Sequence, residues 1–162
     1  MNTRLIIFLS LMLGSCSVDE IPVDDVVVEC SVSLEIKNDW KMASDVIYLI
    51  NIHRNSLGID TLKINRGLAF DLAIGHNSYM MDQGMISHDN FEQRAVALAQ
   101  DGADAVAENV AFGQDSAQDI VTSWINSPPH LDTIEGNYTD ISVAITKNVY
   151  GYLYVTMIAT RI

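Results

Sequence analysis

Three residues beside turns carry side chains that could do chemistry together: His88, Glu108 and His130. His88 sits in Ile86-Ser87-His88-Asp89. Glu108 sits in Ala107-Glu108-Asn109-Val110-Ala111, a short apolar segment after an acidic loop. His130 follows Pro128-Pro129. A carboxylate on an otherwise apolar strand needs a partner, because an unpaired buried charge is costly. Imidazole is the obvious candidate, since an imidazole beside a carboxylate gains charge stabilisation. Two imidazoles and one carboxylate with an open position also form a zinc set. Such a metal would activate water; without one, a His–Glu pair can serve as a general base. Ser127 is a hydroxyl near His130, but Pro128-Pro129 separates the two. His76, on the apolar stripe of its helix, reads first as a satisfied core histidine and second as a cleft residue, and Asn109 reads first as a turn former and second as a cleft residue. His53 and Arg54 read as helix-end cations meeting a C-terminal dipole. The sequence contains no Gly-rich phosphate loop, no His-Glu-x-x-His, no Cys-x-x-Cys and no Gly-x-Ser-x-Gly.

The elements that must position these residues follow from periodicity and capping. Asn38 or Asp39 can cap a helix starting at Trp40, with Val46, Leu49, Ile50 and His53 on one face and Gly58 as its stop. Asn65 can cap a second helix, whose stripe is Leu68, Leu72, Ala73, His76, Tyr79 and Met80 and whose end is Gly84. Asp89 with Glu92 three residues on reads as a capping box for Phe91 to Gln100, which Gly102 closes. Ser116 and Asp119 repeat the device before Ile120, Val121, Trp124 and Ile125. Pro128-Pro129 is expected to terminate that helix. The period then changes to two: Ile141, Val143 and Ile145 alternate with Ser142, Ala144 and Thr146. Asn148 to Gly151 reads as a turn and Tyr152 to Thr160 as the return strand. Three to four helices around a small antiparallel sheet is an α+β arrangement.

The beginning of the chain reads as an address. Met1-Asn2-Thr3-Arg4 is a short positive start, Leu5 to Leu13 is apolar, and Gly14-Ser15-Cys16 follows. The apolar run is too short to span the ~30 Å of a bilayer core as a helix. Leu13-Gly14-Ser15-Cys16 resembles the bacterial lipobox, in which the Cys is acylated and becomes the mature N-terminus; an ordinary signal peptide cut near Ser15 is the other reading. Residues 1–15 are thus a lipoprotein signal peptide, 16–37 an acidic tether and 38–162 the domain. Val26-Val27-Val28 is an edge strand or part of the linker. Acylated Cys16 leaves Cys30 without a disulfide partner. The chain carries 9 Lys+Arg against 21 Asp+Glu, a formal charge of −12. That balance argues against nucleic acid, which needs a basic face, and against a polybasic grip on anionic lipid. At 49% apolar residues the chain has enough hydrophobic material for a folded core.

From Leu49 to the C-terminus the order of these segments resembles the CAP superfamily, or SCP domain, the family of cysteine-rich secretory proteins, antigen 5 and plant pathogenesis-related 1 proteins, in its short bacterial branch. Leu49-Ile50-Asn51-x-His53-Arg54-x-x-x-Gly58-Ile59-x-x-Leu62 is similar to the family's opening helix and turn, and Leu68-x-x-x-Leu72-Ala73-x-x-His76-Asn77-x-x-Met80 to its second helix. Ser87-His88 resembles its first cavity-histidine motif. Ala107-Glu108-Asn109-Val110-Ala111 resembles its Gly-Glu-Asn-Ile-Ala segment. Trp124-x-x-Ser127-Pro128-x-His130 resembles the bacterial Trp-x-x-Ser-x-Gly-His, and Tyr138-Thr139-Asp140-Ile141 leads into its closing strands. The resemblance implies an α-β-α sandwich and a cleft that in larger members holds two His and two acidic residues, in some with zinc or another divalent cation. By position, the first His is His88 and the first Glu is Glu108. The second Glu falls on Ser127, and the second-His motif Gly-His-x-Thr is absent, with His130 as its replacement by hypothesis. Ala107, Pro129 and Leu131 are further departures.

Two classes of function follow. The first is a membrane-tethered, extracytoplasmic binding module, anchored through an acyl group on Cys16 at an outer membrane or cell surface. Its cleft of His88, Glu108, His130, Asn109, Ser127 and His76 would take a small apolar molecule, a lipid, a cell-wall fragment or a cation. The second is a hydrolase using His88, His130 and Glu108 as metal ligands, or a metal-free His–Glu pair. The sequence establishes no cofactor, and zinc or another divalent cation is the one this donor set would take. The missing second carboxylate favours the binding module.

Overall fold

Asp39 opens the first helix with its own side chain, Oδ1 accepting from the Met42 N–H at 3.0 Å. The structure, a computed structural model, describes residues 38–162, so the expected signal peptide and tether, with Cys16, Val26–Val28 and Cys30, lie outside it. Helix α1 (Trp40–Ser56) buries Ala43, Val46, Ile47, Ile50 and Arg54, and Gly58, at φ +71°, turns the chain out of it. Strand β1 is the short Lys63–Ile64. Helix α2 spans Leu68–Gln83 and stops at left-handed Gly84. Helix α3 (Phe91–Gln100) leads to strand β2 (Ala105–Phe112). Helices α4 (Ala117–Ile125) and α5 (Pro128–Glu135) then precede strands β3 (Asp140–Lys147) and β4 (Leu153–Arg161).

The four strands lie in the order β1-β3-β4-β2, with β1 parallel to β3 and the other pairings antiparallel. Two-residue alternation divides the side chains of β3 and β4 between two faces. Ile141, Val143, Ile145, Leu153, Val155 and Met157 join the core under α1, α4 and α5. Ala144 and Ile158 join the core under α2 and α3. The architecture is therefore an α-β-α sandwich of class α+β. Because both faces are covered, the polar half of the alternation is buried as well and must be satisfied internally. Ser142 donates to Asn65 O at 2.6 Å. Asn77 on α2 donates to Ala144 O, Thr146 Oγ1 and Tyr154 O and accepts from Thr156 Oγ1 at 2.7 Å. Asn77 thus rivets α2 to β3 and β4.

Several local expectations change in the folded chain. Among the described residues the helices number five, and the sheet is mixed. Helix α4 ends at Ile125 ahead of Pro128-Pro129 as expected, with Ser127 extended, but the prolines also occupy the first turn of a further helix, α5, where a missing N–H costs nothing. The Asp89–Glu92 capping box does not form. Asn90 caps α3 at φ +60° with no side-chain bond, while the Asp89 carboxylate accepts from Tyr79 OH at 3.0 Å. Gly67, not Asn65, caps α2, and Asn65 Oδ1 instead accepts from the Gly67 N–H. Asn109 lies inside β2 rather than in a turn. The Ser116 cap forms as read, its Oγ accepting from the Asp119 N–H. Arg54, read as a helix-end cation at its own C-terminus, is 1% exposed and donates to Ile134 O and Gly136 O, at the end of α5. Among the described residues no helix is long and apolar enough to cross a membrane.

Candidate functional site

Strand β2 is an edge strand, paired on one side only, with Glu108 opposite Ile158 of β4. An edge lets groups from both layers of helices meet around it. Successive residues point to opposite faces, so Glu108 turns to α2 and α3, and Asn109 turns to α5. Both are buried.

The Glu108 side chain is 1% exposed and its charge is matched by Arg94 of α3. Arg94 Nε donates to Oε2 at 2.8 Å and Nη2 to Oε1 at 2.7 Å, a two-pronged grip. The same guanidinium donates through Nη1 to Asp89 O at 2.8 Å, which ties the α2–α3 loop to the pair. His88, in that loop, lies with Nδ1 3.0 Å from Oε1. An ionised carboxylate only accepts, so Nδ1 carries the proton. The His88 side chain is 49% exposed, and its Nε2 has no hydrogen-bond partner among the described residues. His76 of α2 lies beneath. Its Nε2 donates to Ser87 O at 2.8 Å and stands 3.8 Å from Glu108 Oε1. Tyr79 stacks on it, with ring centroids 5.9 Å apart.

Charge states follow from these contacts. Burial alone would raise the Glu108 carboxyl. Hydrogen bonds from His88 and Arg94, with the Arg94 charge, more than reverse that and hold it below the ordinary carboxylate value. Burial pushes His76 down, outweighing its bond to Ser87 O and the attraction of Glu108. His130 is also pushed down, first by burial and then by the charge of His88, so the two imidazoles are within electrostatic reach.

On the other face, Asn109 Nδ2 donates to the backbone oxygen of His130 at 3.0 Å, fixing the start of α5 against β2. Asn109 Oδ1, His130 Nδ1 and His76 Nδ1 are shielded from solvent without partners. Ser127 forms the N-cap of α5 without a side-chain bond, and its hydroxyl makes no hydrogen bond to His130.

The structure therefore gathers His88, Glu108 and His76 in direct contact, with Asn109 and His130 alongside and Ser127 apart from them. Sequence reasoning misses Arg94, although a signal for it exists. It is the only Lys or Arg between Arg66 and Lys147, and a buried acid requires a cation. The family's metal does not fit these residues. Both Glu108 oxygens face a guanidinium, and among the described residues no group of three or more His, Cys, Asp or Glu side chains converges as a ligand set.

The pattern of the CAP, or cysteine-rich secretory protein, family matches residues 47–158. The chain belongs to the CAP family. Solved structures share its fold at low identity. An outer surface protein from Borrelia burgdorferi superposes with a TM-score of 0.68 at 17% identity, covering 75% of this chain and 93% of that one. An extracellular SCP-domain protein from Bacillus anthracis gives 0.65 at 22% identity, over 75% of this chain and 41% of that one. A cysteine-rich secretory protein from Staphylococcus aureus gives 0.65 at 16%, over 78% and 40%. Comparison with curated protein sequences finds no match. Within this CAP domain, the first-histidine motif supplies His88 and the Glu-Asn motif supplies Glu108 and Asn109. The two halves of the latter serve opposite faces of one strand.

Proposed function

We propose that this CAP domain is an exported binding module, held at a bacterial surface by acylated Cys16, that presents His88 to a ligand. The observation that carries the reading is the pair of hydrogen bonds that Arg94 donates to Glu108. A general base needs a free lone pair and a pKa near the working pH. Glu108 has its oxygens engaged, its side chain out of solvent and its pKa depressed, so it orients His88 and is not itself the base; the free lone pair of the pair is on His88 Nε2. No hydroxyl is hydrogen-bonded to an imidazole among the described residues, so no activated nucleophile is assembled. The pair is instead a rigid platform on which a half-exposed imidazole is fixed by one nitrogen and offers the other.

Export is supported by the outer-surface and extracellular origin of the fold relatives and by the lipobox-like start. That setting makes cell-wall fragments the ligands to try first. The test is titration of the full chain with disaccharide-peptide wall fragments, read by calorimetry and by imidazole NMR signals, with and without chelator. Binding that survives chelation and falls about tenfold or more in His88→Ala supports the module. Zinc binding at micromolar or tighter, lost in both His88→Ala and Glu108→Ala and accompanied by turnover, refutes it in favour of a metal-dependent hydrolase.

A further inference from the structure

Arg54 and Arg94 are the two buried arginines of this domain, and they are treated differently. Arg94 is matched by a carboxylate. Arg54, 1% exposed, makes no ion pair among the described residues. Its Nε donates to Asp60 O at 2.7 Å, and its Nη1 donates to Ile134 O and Gly136 O at 2.7 and 2.9 Å. Nη2 takes part in none of these bonds. Three neutral carbonyls orient the guanidinium, and the Asp60 carboxylate attracts it without a direct ion pair, so its charge is matched only in part, which is costly in a buried setting.

Arg54 is also the most buried of the residues lining an open cavity of about 530 Å3 between the α1–β1 and α5–β3 loops. None of His76, His88, Glu108 or His130 lines it. Lys63, exposed and without an ion pair among the described residues, supplies a second positive charge. Asp60 and Glu135 supply carboxylates; Glu135 already accepts from His53 at 2.8 Å. Asn137 adds an amide and the half-buried Tyr138 an aromatic ring.

We infer that this cavity is a second ligand site, separate from the His88–Glu108 centre, for a singly charged, carboxylated sugar. The carboxylate would lie against Arg54 Nη2 and Lys63, the sugar hydroxyls would donate to Asp60 and Glu135, and the ring would rest on Tyr138. The two acids select for hydroxyl donors and against a multiply charged phosphate, which they repel. The volume suits a sugar-sized ligand, at the low end for small-molecule sites.

The test is an NMR titration of the full chain with three probes: glucuronate, glucose and inorganic phosphate. Glucuronate is expected to shift the Thr61, Lys63 and Asn137 amides saturably, at least about tenfold more tightly than glucose or phosphate. Lys63→Glu, an exposed change that leaves the fold intact, is expected to weaken glucuronate about fivefold or more. Arg54→Lys keeps the charge, loses the fork and should weaken it further. If the Arg54 variant fails to fold, the Lys63 variant still decides. Absence of saturable shifts, equal response to glucose or phosphate, indifference to Lys63→Glu, or shifts confined to His88 and His130 would each overturn the inference. The binding role of the His88 centre would stand or fall separately.

Discussion

Replacing Arg94 with Met tests whether the guanidinium is what makes a buried Glu108 tolerable. The substitution keeps an unbranched apolar stem and removes the two bonds to Glu108, at 2.8 and 2.7 Å, and the bond to Asp89 O. The carboxylate, with a side chain 1% exposed, is then left with His88 as its only strong partner. Breaking a buried pair from one side costs roughly 3–5 kcal/mol, because an uncompensated charge remains. For a domain of this size that corresponds to a fall in Tm of about 10–20 °C. The sign of the pH dependence is diagnostic. In the wild type the folded pKa of Glu108 lies below the unfolded value of 4.5. Its stabilisation is therefore complete above that value and is lost as pH falls through the folded pKa. In Arg94→Met, burial dominates and the folded pKa rises above 4.5. The penalty is then full at neutral pH and is relieved as the carboxyl takes up a proton. The stability gap between the two proteins should narrow steadily from pH 7 to pH 4. Urea unfolding followed by Trp124 and Trp40 fluorescence measures the gap, provided the m-value is unchanged. Adding Glu108→Leu should recover more than half of the loss, since no orphaned charge remains. A loss below about 1 kcal/mol at pH 7, or a gap that does not change with pH, would refute the account of the site.

Other outcomes follow from the same structure. His76 and His130 should titrate below the ordinary histidine value of 6.5 in NMR, so wild-type stability should decline as pH drops below 6.5, where the unfolded chain takes up protons and the native state does not. Replacing both with Asn should flatten that part of the profile, and a profile unchanged in the double variant would contradict the assignment. Asn77→Ala removes one accepted hydrogen bond and the two amide hydrogens shared among three acceptors at a fully buried rivet and should cost about 2–4 kcal/mol by urea unfolding, whereas an effect under about 0.5 kcal/mol would mean the sheet contacts are redundant. Cys16→Ser should move the protein from the membrane to the soluble fraction and abolish incorporation of labelled fatty acid; unaltered membrane association would remove the acyl anchor.

Much of the fold is legible along the chain because its determinants act within a turn or two. Asp39 and Ser116 cap their helices with their own oxygens, Gly58 and Gly84 end theirs with left-handed backbone, and the alternation at Ile141, Val143 and Ile145 produces β3. The order of the His, Glu-Asn and Trp motifs points to the family, and the need of Glu108 for a partner follows from its apolar neighbours in sequence. Local reading fails where one short segment allows two outcomes. Pro128-Pro129 ends α4 as read but also starts α5, which the terminating role hides, and Asp89 can cap a helix or accept from Tyr79, a choice made by what packs nearby.

Sequence by itself determined four of the five described helices, the closing hairpin and the presence of a buried acid beside imidazoles, and the resemblance to the family implied the sandwich. Only the tertiary structure decided which cation answers that acid. Arg94, 14 positions from Glu108, reaches it because α3 packs on the edge strand β2, and it takes both oxygens where imidazole alone was expected. The same packing set Asn109 on the opposite face and enclosed Arg54 among the carbonyls at the end of α5, 80 or more positions away. Periodicity and capping are short-range and repeat along the chain, so they can be read from it. Pairing of charges across layers depends on which faces meet, and that is settled by the burial of the whole core.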